Sequence, residues 1–159
     1  DNRPFVIGHP GVLWTQIPTR DGNAHGEIKR SNKFPNCSHF LNWKNEEDYI
    51  SWDVEVGKSG NYEVELWYSC REKDLGAEIE LSMNGKSVVT TVTRANDPPL
   101  VGMKEDRSPR NESYYKNFRP MKMGTIELVK GKGELKLRAL RIPGEQAIEF
   151  RLLMLQRKG

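Results

Sequence analysis

Between Tyr49 and Met83 the chain alternates apolar and polar residues through three successive runs, each closed by turn residues. Ile50, Trp52, Val54 and Val56 alternate with Ser51, Asp53 and Glu55. Tyr62, Val64, Leu66 and Tyr68 alternate with Glu63, Glu65 and Ser69. Ala77, Ile79, Leu81 and Met83 alternate with Glu78, Glu80 and Ser82. A period of two sends successive side chains to opposite faces, so each run predicts a strand with one dry and one wet side. Such strands must pair and cover their dry faces, which predicts an all-β antiparallel sandwich or barrel.

The same pattern predicts further strands at 86–93, 124–130, 133–141 and 146–156, with one or two more near Phe5-Val6-Ile7 and Val12-Leu13-Trp14. Gly57–Asn61 and Gly131-Lys132-Gly133 read as hairpin turns. Asn84-Gly85 is the strongest hairpin signal, because both central residues of a type I′ turn need positive φ. No stretch carries apolar residues at helical spacing over a useful length. The expectation is an eight- or nine-stranded sandwich, a jelly roll by strand count.

At 159 residues the chain suits one domain, 1–159, with a real core. Its 25 Lys and Arg against 22 acidic residues are too balanced for dedicated nucleic-acid binding. No apolar run approaches the roughly 20 residues of a membrane span. The chain opens at Asp1 without a signal pattern, which reads as a processed protein or an excised domain. Cys37 and Cys70 read either as a cross-sandwich disulfide or, because Cys70 continues the Tyr62/Leu66/Tyr68 face, as a buried thiol.

Residues 94–122 break the alternation and read as one long loop, of the kind that usually carries function. Within it Tyr114 and Tyr115 lie near Asn117, and 104–119 holds five Lys or Arg against three acids, which permits an anionic ligand. Sugars present apolar C–H faces ringed by hydroxyls, so sites for them combine flat aromatics with hydrogen-bonding side chains. The candidates are Trp43, Tyr114 and Tyr115 as platforms, with Asn36, His39, Arg71, Asn117 and Glu145 as polar partners. Trp67 shares the wet face of its strand with Glu63 and Glu65, so it is either covered or a contact surface.

Catalytic arrangements are poorly supported. Cys37-Ser38-His39 are sequence neighbours that point apart, and no Gly-x-Ser-x-Gly elbow occurs. Glu46, Glu47 and Asp48 read as a solvated turn. Asp21, Asn23 and Glu27 offer oxygen ligands of the kind calcium takes, although the run also reads as an ordinary turn. No other cofactor is expected.

Four motifs carry a resemblance: Asp48-Tyr49-Ile50-Ser51-Trp52-Asp53-Val54-Glu55-Val56, Gly60-Asn61-Tyr62-Glu63-Val64-Glu65-Leu66, Asn84-Gly85, and Gly131-Lys132-Gly133-Glu134-Leu135-Lys136-Leu137. With the closing run Ala147–Leu155 they resemble family 6 and family 35 carbohydrate-binding modules and their galactose-binding-like relatives. The whole chain, including Pro4-Phe5-Val6-Ile7-Gly8 and the region of Trp14, is similar to accessory domains that follow the catalytic domain of bacterial sulfatases of the arylsulfatase and N-acetylgalactosamine-6-sulfatase type. The resemblance implies a galactose-binding-like jelly roll, a glycan partner, a covalently linked catalytic domain and a periplasmic or extracellular setting. It implies a loop aromatic at Tyr114 or Tyr115 and a polar residue at Glu145 or Gln146. The sulfatase motif that matures to formylglycine does not occur around Cys37 or Cys70, so the implied role is non-catalytic. The alternative is a structural domain that packs on its catalytic neighbour through Trp67 and binds no sugar.

Overall fold

The computed structural model describes residues 3–9, 11–31, 39–96, 100–101, 115–116 and 118–158, with the backbone alone at 100–101 and 115–116. The described residues form fourteen strands: β1 (Phe5–Ile7), β2 (Trp14–Pro18), β3 (Asn23–His25), β4 (Lys29–Arg30), β5 (Phe40–Leu41), β6 (Tyr49–Val56), β7 (Gly60–Ser69), β8 (Glu78–Met83), β9 (Lys86–Thr91), β10 (Leu100–Val101), β11 (Tyr115–Lys116), β12 (Arg119–Leu128), β13 (Gly131–Arg141) and β14 (Glu149–Arg157). Among the described residues the helical content is two single 3-10 turns, Thr19–Asp21 and Glu72–Asp74.

The strands form two layers. The first sheet runs β1-β6-β13-β8-β9, and β3 lies along the same edge of β6 as β1. The second runs β12-β7-β14-β5-β4, with β2 beside β5 on the same flank of β14. The dry faces predicted for β6 and β7 are the ones that meet: Ile50, Trp52, Val54, Val56, Tyr62, Val64, Leu66 and Tyr68 are all buried. Trp52 of the first sheet meets Phe150 of the second edge-on, with ring centroids 5.8 Å apart, a favoured aromatic geometry. The Trp52 Nε1–H is satisfied by Pro18 O at 3.2 Å. The architecture is a two-layer β-sandwich, antiparallel except for the β1–β6 pair, as the alternation predicted.

Two turns differ from expectation. Gly57–Ser59 and Val129–Lys130 join strands of different sheets, because β6 and β13 belong to the first layer and β7 and β12 to the second. Glycine and lysine permit either kind of turn, so local sequence does not separate a hairpin from a crossing between layers. Asn84-Gly85 does close a hairpin, between β8 and β9, with φ of 49° and 84°. The long loop expected at 94–122 is shorter: β12 begins at Arg119, and backbone pairing joins Leu100–Val101 to Tyr115–Lys116. The alternation of β12 is hidden by a bulge between Lys122 and Gly124, which shifts the side-chain phase by one residue. At that bulge Gly124 has φ 130°, and a Cβ there would stand 2.9 Å from Val88 on β9. The missing side chain lets the two sheet edges meet. Cys70 is buried, and its Sγ lies 3.7 Å from Ala147 O. Cys37 lies outside the described residues.

Candidate functional site

Several candidates sit at the end of the sandwich where β7 finishes and β14 begins. Trp43 is fully buried, and its Nε1 donates to Asp48 O at 3.2 Å. That corrects its candidacy as a sugar platform: an indole closed on both faces has none to offer, and the residue belongs to the core. His39 is also buried, at 4% exposure. Its Nε2 lies 3.4 Å from Glu149 Oε1, which also accepts from Ser69 Oγ at 3.4 Å. The order is His–Glu–Ser, with the carboxylate between the other two, so the imidazole does not address the hydroxyl as it does in a Ser-His-Asp triad. The His39 Nδ1 is buried and has no hydrogen-bond partner among the described residues.

Arg71 and Glu145 are brought together by the Glu72–Asp74 turn and the segment between β13 and β14. Arg71 pairs with the fully buried Asp74 at 2.8 Å and with Glu145 at 3.3 Å, and Lys73 reaches Glu145 at 3.2 Å. Asp74 Oδ1 also accepts the Glu145 backbone N–H at 2.9 Å. Lys73 first, and Arg71 after it, hold the Glu145 carboxyl below the usual carboxylate range. The Asp74 hydrogen bond raises the Arg71 guanidinium above its ordinary value. These two expected ligand contacts are therefore engaged with each other as a clasp between loops. Asn36, Tyr114 and Asn117 lie outside the described residues, and Tyr115 is described only as backbone of β11.

The three residues read as a calcium set are divided. Asp21 and Asn23 line an open concavity of about 830 Å³ with Asp53, Arg3 and Arg20. Asn23 stands opposite Ser51 and His25 opposite Tyr49. Glu27 therefore lies further on, where its Oε2 accepts from Asn45 Nδ2 at 3.0 Å. Among the described residues no group of three or more His, Cys, Asp or Glu is placed to hold a metal. Of the acidic triplet, Glu46 accepts the Ile142 N–H at 3.3 Å and Asp48 the Glu27 N–H at 3.0 Å.

The outer face of the second sheet offers more. Strand register aligns its wet side chains in three rows across β2, β14, β7 and β12. One row is Trp14, Gln156, Glu63 and Thr125. The next is Gln16, Met154, Glu65 and Lys122. The third is Pro18, Leu152, Trp67 and Pro120. Trp14 is 47% exposed and borders a concavity of about 380 Å³ that also meets Glu63, Glu65, Lys122, Thr125, Gln156 and Lys158. A half-open indole beside carboxylate acceptors, ammonium donors, an amide and a hydroxyl can stack on an apolar face and hydrogen-bond its rim. In the third row Trp67 is half-buried between Leu152 and Pro120, and its buried Nε1 has no hydrogen-bond partner among the described residues. Trp14 is not among the ligand contacts expected from the sequence, where Val12-Leu13-Trp14 reads as an apolar stretch near a strand. The signal for Trp14 was the short alternation Trp14, Gln16 against the buried Ile17.

No protein-family model matches the chain, and no curated protein matches it. Solved structures do. The chain is similar to the C-terminal CBM6 of LamC, a laminarinase from Zobellia galactanivorans, with TM-score 0.63 and 9% identity over 91% of this chain and 99% of that one. A GH26-CBM35 β-(1,4)-mannanase from Podospora anserina matches with TM-score 0.62 and 11% identity, over 92% of this chain and 28% of that one. The Cry4Aa toxin from Bacillus thuringiensis matches with TM-score 0.68 and 12% identity, over 98% of this chain and 25% of the toxin. The chain thus spans about a quarter of the two larger proteins and the whole of the isolated module. At these identities the likeness is one of fold.

Proposed function

We propose that this chain is a non-catalytic carbohydrate-binding module that holds glycan on the outer face of its second sheet. The observation that carries the reading is the half-open Trp14 ring in a concavity edged by Glu63, Glu65, Lys122, Thr125 and Gln156. The module fold shared with the laminarinase and mannanase domains supports it. Such a module raises the local concentration of a linked enzyme at its polysaccharide, so a weak single-site affinity suffices. The resemblance of the whole chain to sulfatase accessory domains supports a sulfatase-type parent and an extracytoplasmic setting.

Titration with neutral and sulfated oligosaccharides, followed by tryptophan fluorescence, tests the reading. Saturable change is expected, lost in Trp14→Ala and weakened in Gln156→Ala. No response to any glycan would overturn it. One observation favours a second reading, a structural domain that packs on its neighbour: the half-buried Trp67 with an unpartnered Nε1, in the row with Pro18, Leu152 and Pro120. Glycan silence, together with a Trp67→Ala loss of association with the parent enzyme's catalytic domain, would establish it.

A further inference from the structure

The opposite end of the sandwich is built from four segments locked together by backbone contacts. Gly57 N–H donates to Ile7 O at 2.8 Å, Lys130 N–H to Ser59 Oγ at 2.7 Å, Lys158 N–H to Asn61 O at 2.7 Å, and Arg157 N–H to Leu13 O at 3.0 Å. Tyr62 Oη reaches Lys58 O at 2.6 Å. The segments 8–14, 57–61, 129–132 and 157–158 are therefore neighbours in space.

Their composition is one-sided. They hold Lys58, Lys130, Lys132, Arg157 and Lys158, and no Asp or Glu. The whole chain carries only +3, so cationic charge is concentrated at this end. The acids nearest to it along the strands are Glu55, Glu63 and Glu127. Glu63 faces Lys158 at 3.6 Å and Glu127 faces Lys86 at 2.9 Å, while Glu55 stands opposite Lys132. The same end leaves large apolar side chains in water: Val12 at 45%, Leu13 at 53%, Trp14 at 47% and Val129 at 57% exposure. Three of these are consecutive, an arrangement that loops adopt for contact and not for solubility.

We propose that this end docks on an anionic lipid bilayer, with Val12 and Leu13 entering the acyl boundary, Trp14 at the headgroup level and the lysines on lipid phosphates. Exposed apolar side chains on segments neighbouring those of the exposed Lys58, Lys130 and Lys132 match both properties of such a surface, because apolar burial and headgroup attraction add there. A sulfated polysaccharide would answer the lysines but leave Val12 and Leu13 in water. Among the described residues no helix is long and apolar enough to cross a membrane, and a surface contact needs none. Trp14 borders both this tip and the sheet-face concavity, so Val12 and Leu13, which do not line that concavity, separate the two roles.

The test is sedimentation of the protein with vesicles of phosphatidylcholine alone or mixed with phosphatidylserine. Binding is expected to the mixed vesicles and to weaken with added salt. Val12→Glu/Leu13→Glu should reduce binding about tenfold or more with little shift of the thermal melt, since both side chains are about half exposed. Lys130→Glu/Lys132→Glu should reduce it and flatten its salt dependence. Absence of binding to the mixed vesicles at low salt overturns the proposal, as does unchanged binding by Val12→Glu/Leu13→Glu. Equal binding of dextran sulfate by the wild type and that variant, with no vesicle binding, would reassign the end to polyanionic glycan.

Discussion

The Glu145 carboxylate lies 3.3 Å from the Arg71 guanidinium, across 74 residues of sequence, while the backbone N–H of Glu145 binds the buried Asp74. One short turn thereby fixes the segment that leads into the last strand.

The clasp has unequal members. Asp74 accepts from Arg71 and from the Glu145 N–H without contact with water, so Asp74→Ala leaves that N–H unpartnered and should cost about 1–3 kcal/mol. Glu145→Ala removes only an exposed contact and should be near neutral in a urea melt. Lys73 and Arg71 depress the folded-state pKa of Glu145 below its unfolded value. Its contribution is therefore present above the unfolded pKa and disappears as pH falls through the folded one, in acid below the ordinary glutamate value. A carboxyl NMR titration should show a depressed midpoint that rises in Lys73→Ala. A midpoint unmoved by that substitution would refute the pairing.

Trp43 belongs to the interior. Trp43→Ala should therefore lose about 3–5 kcal/mol of stability, and the milder Trp43→Phe should leave any glycan isotherm where it was. A Trp43→Phe variant that folds normally but binds sugar more weakly would return the residue to the binding surface.

Two left-handed glycines should respond differently to alanine. Gly85, at φ 84°, has open space where a Cβ would go, so Gly85→Ala should cost about 1–2 kcal/mol from backbone strain alone. Gly8, at φ 70°, would drive its Cβ into the Tyr62 hydroxyl. Gly8→Ala should be the more damaging by thermal melt, and the reverse ranking would contradict the packing of this end.

The fold was legible because burial follows the alternation: in β6 the exposed positions Asp53 and Glu55 separate the buried Trp52, Val54 and Val56. Layer assignment was not legible, since Gly57–Ser59 and Val129–Lys130 look like hairpin turns and join different sheets. The site was less legible still. Arg71 and Glu145 carry the chemistry of sugar contacts but satisfy each other, and a sequence does not reveal whether charges will pair. Trp43 and Trp14 are the same residue type in equally short motifs. Tertiary cover closes the first completely and leaves the second 47% exposed.

The passage of the chain from β6 to β7, β12 to β13 and β13 to β14 sets each strand beside partners distant in sequence. The Asn84-Gly85 ribbon and the short β4–β5 and β10–β11 pairs can close locally; the pairings among the long strands β6, β7, β12, β13 and β14 must wait for large rings of chain to close. Refolding should therefore be slow for a domain of this length, in the millisecond-to-second regime of high contact order. Until those rings close, the β8–β9 ribbon waits with the apolar side of Ile79 and Leu81 uncovered, and that interval is when a dilute preparation holds an advantage over a concentrated one.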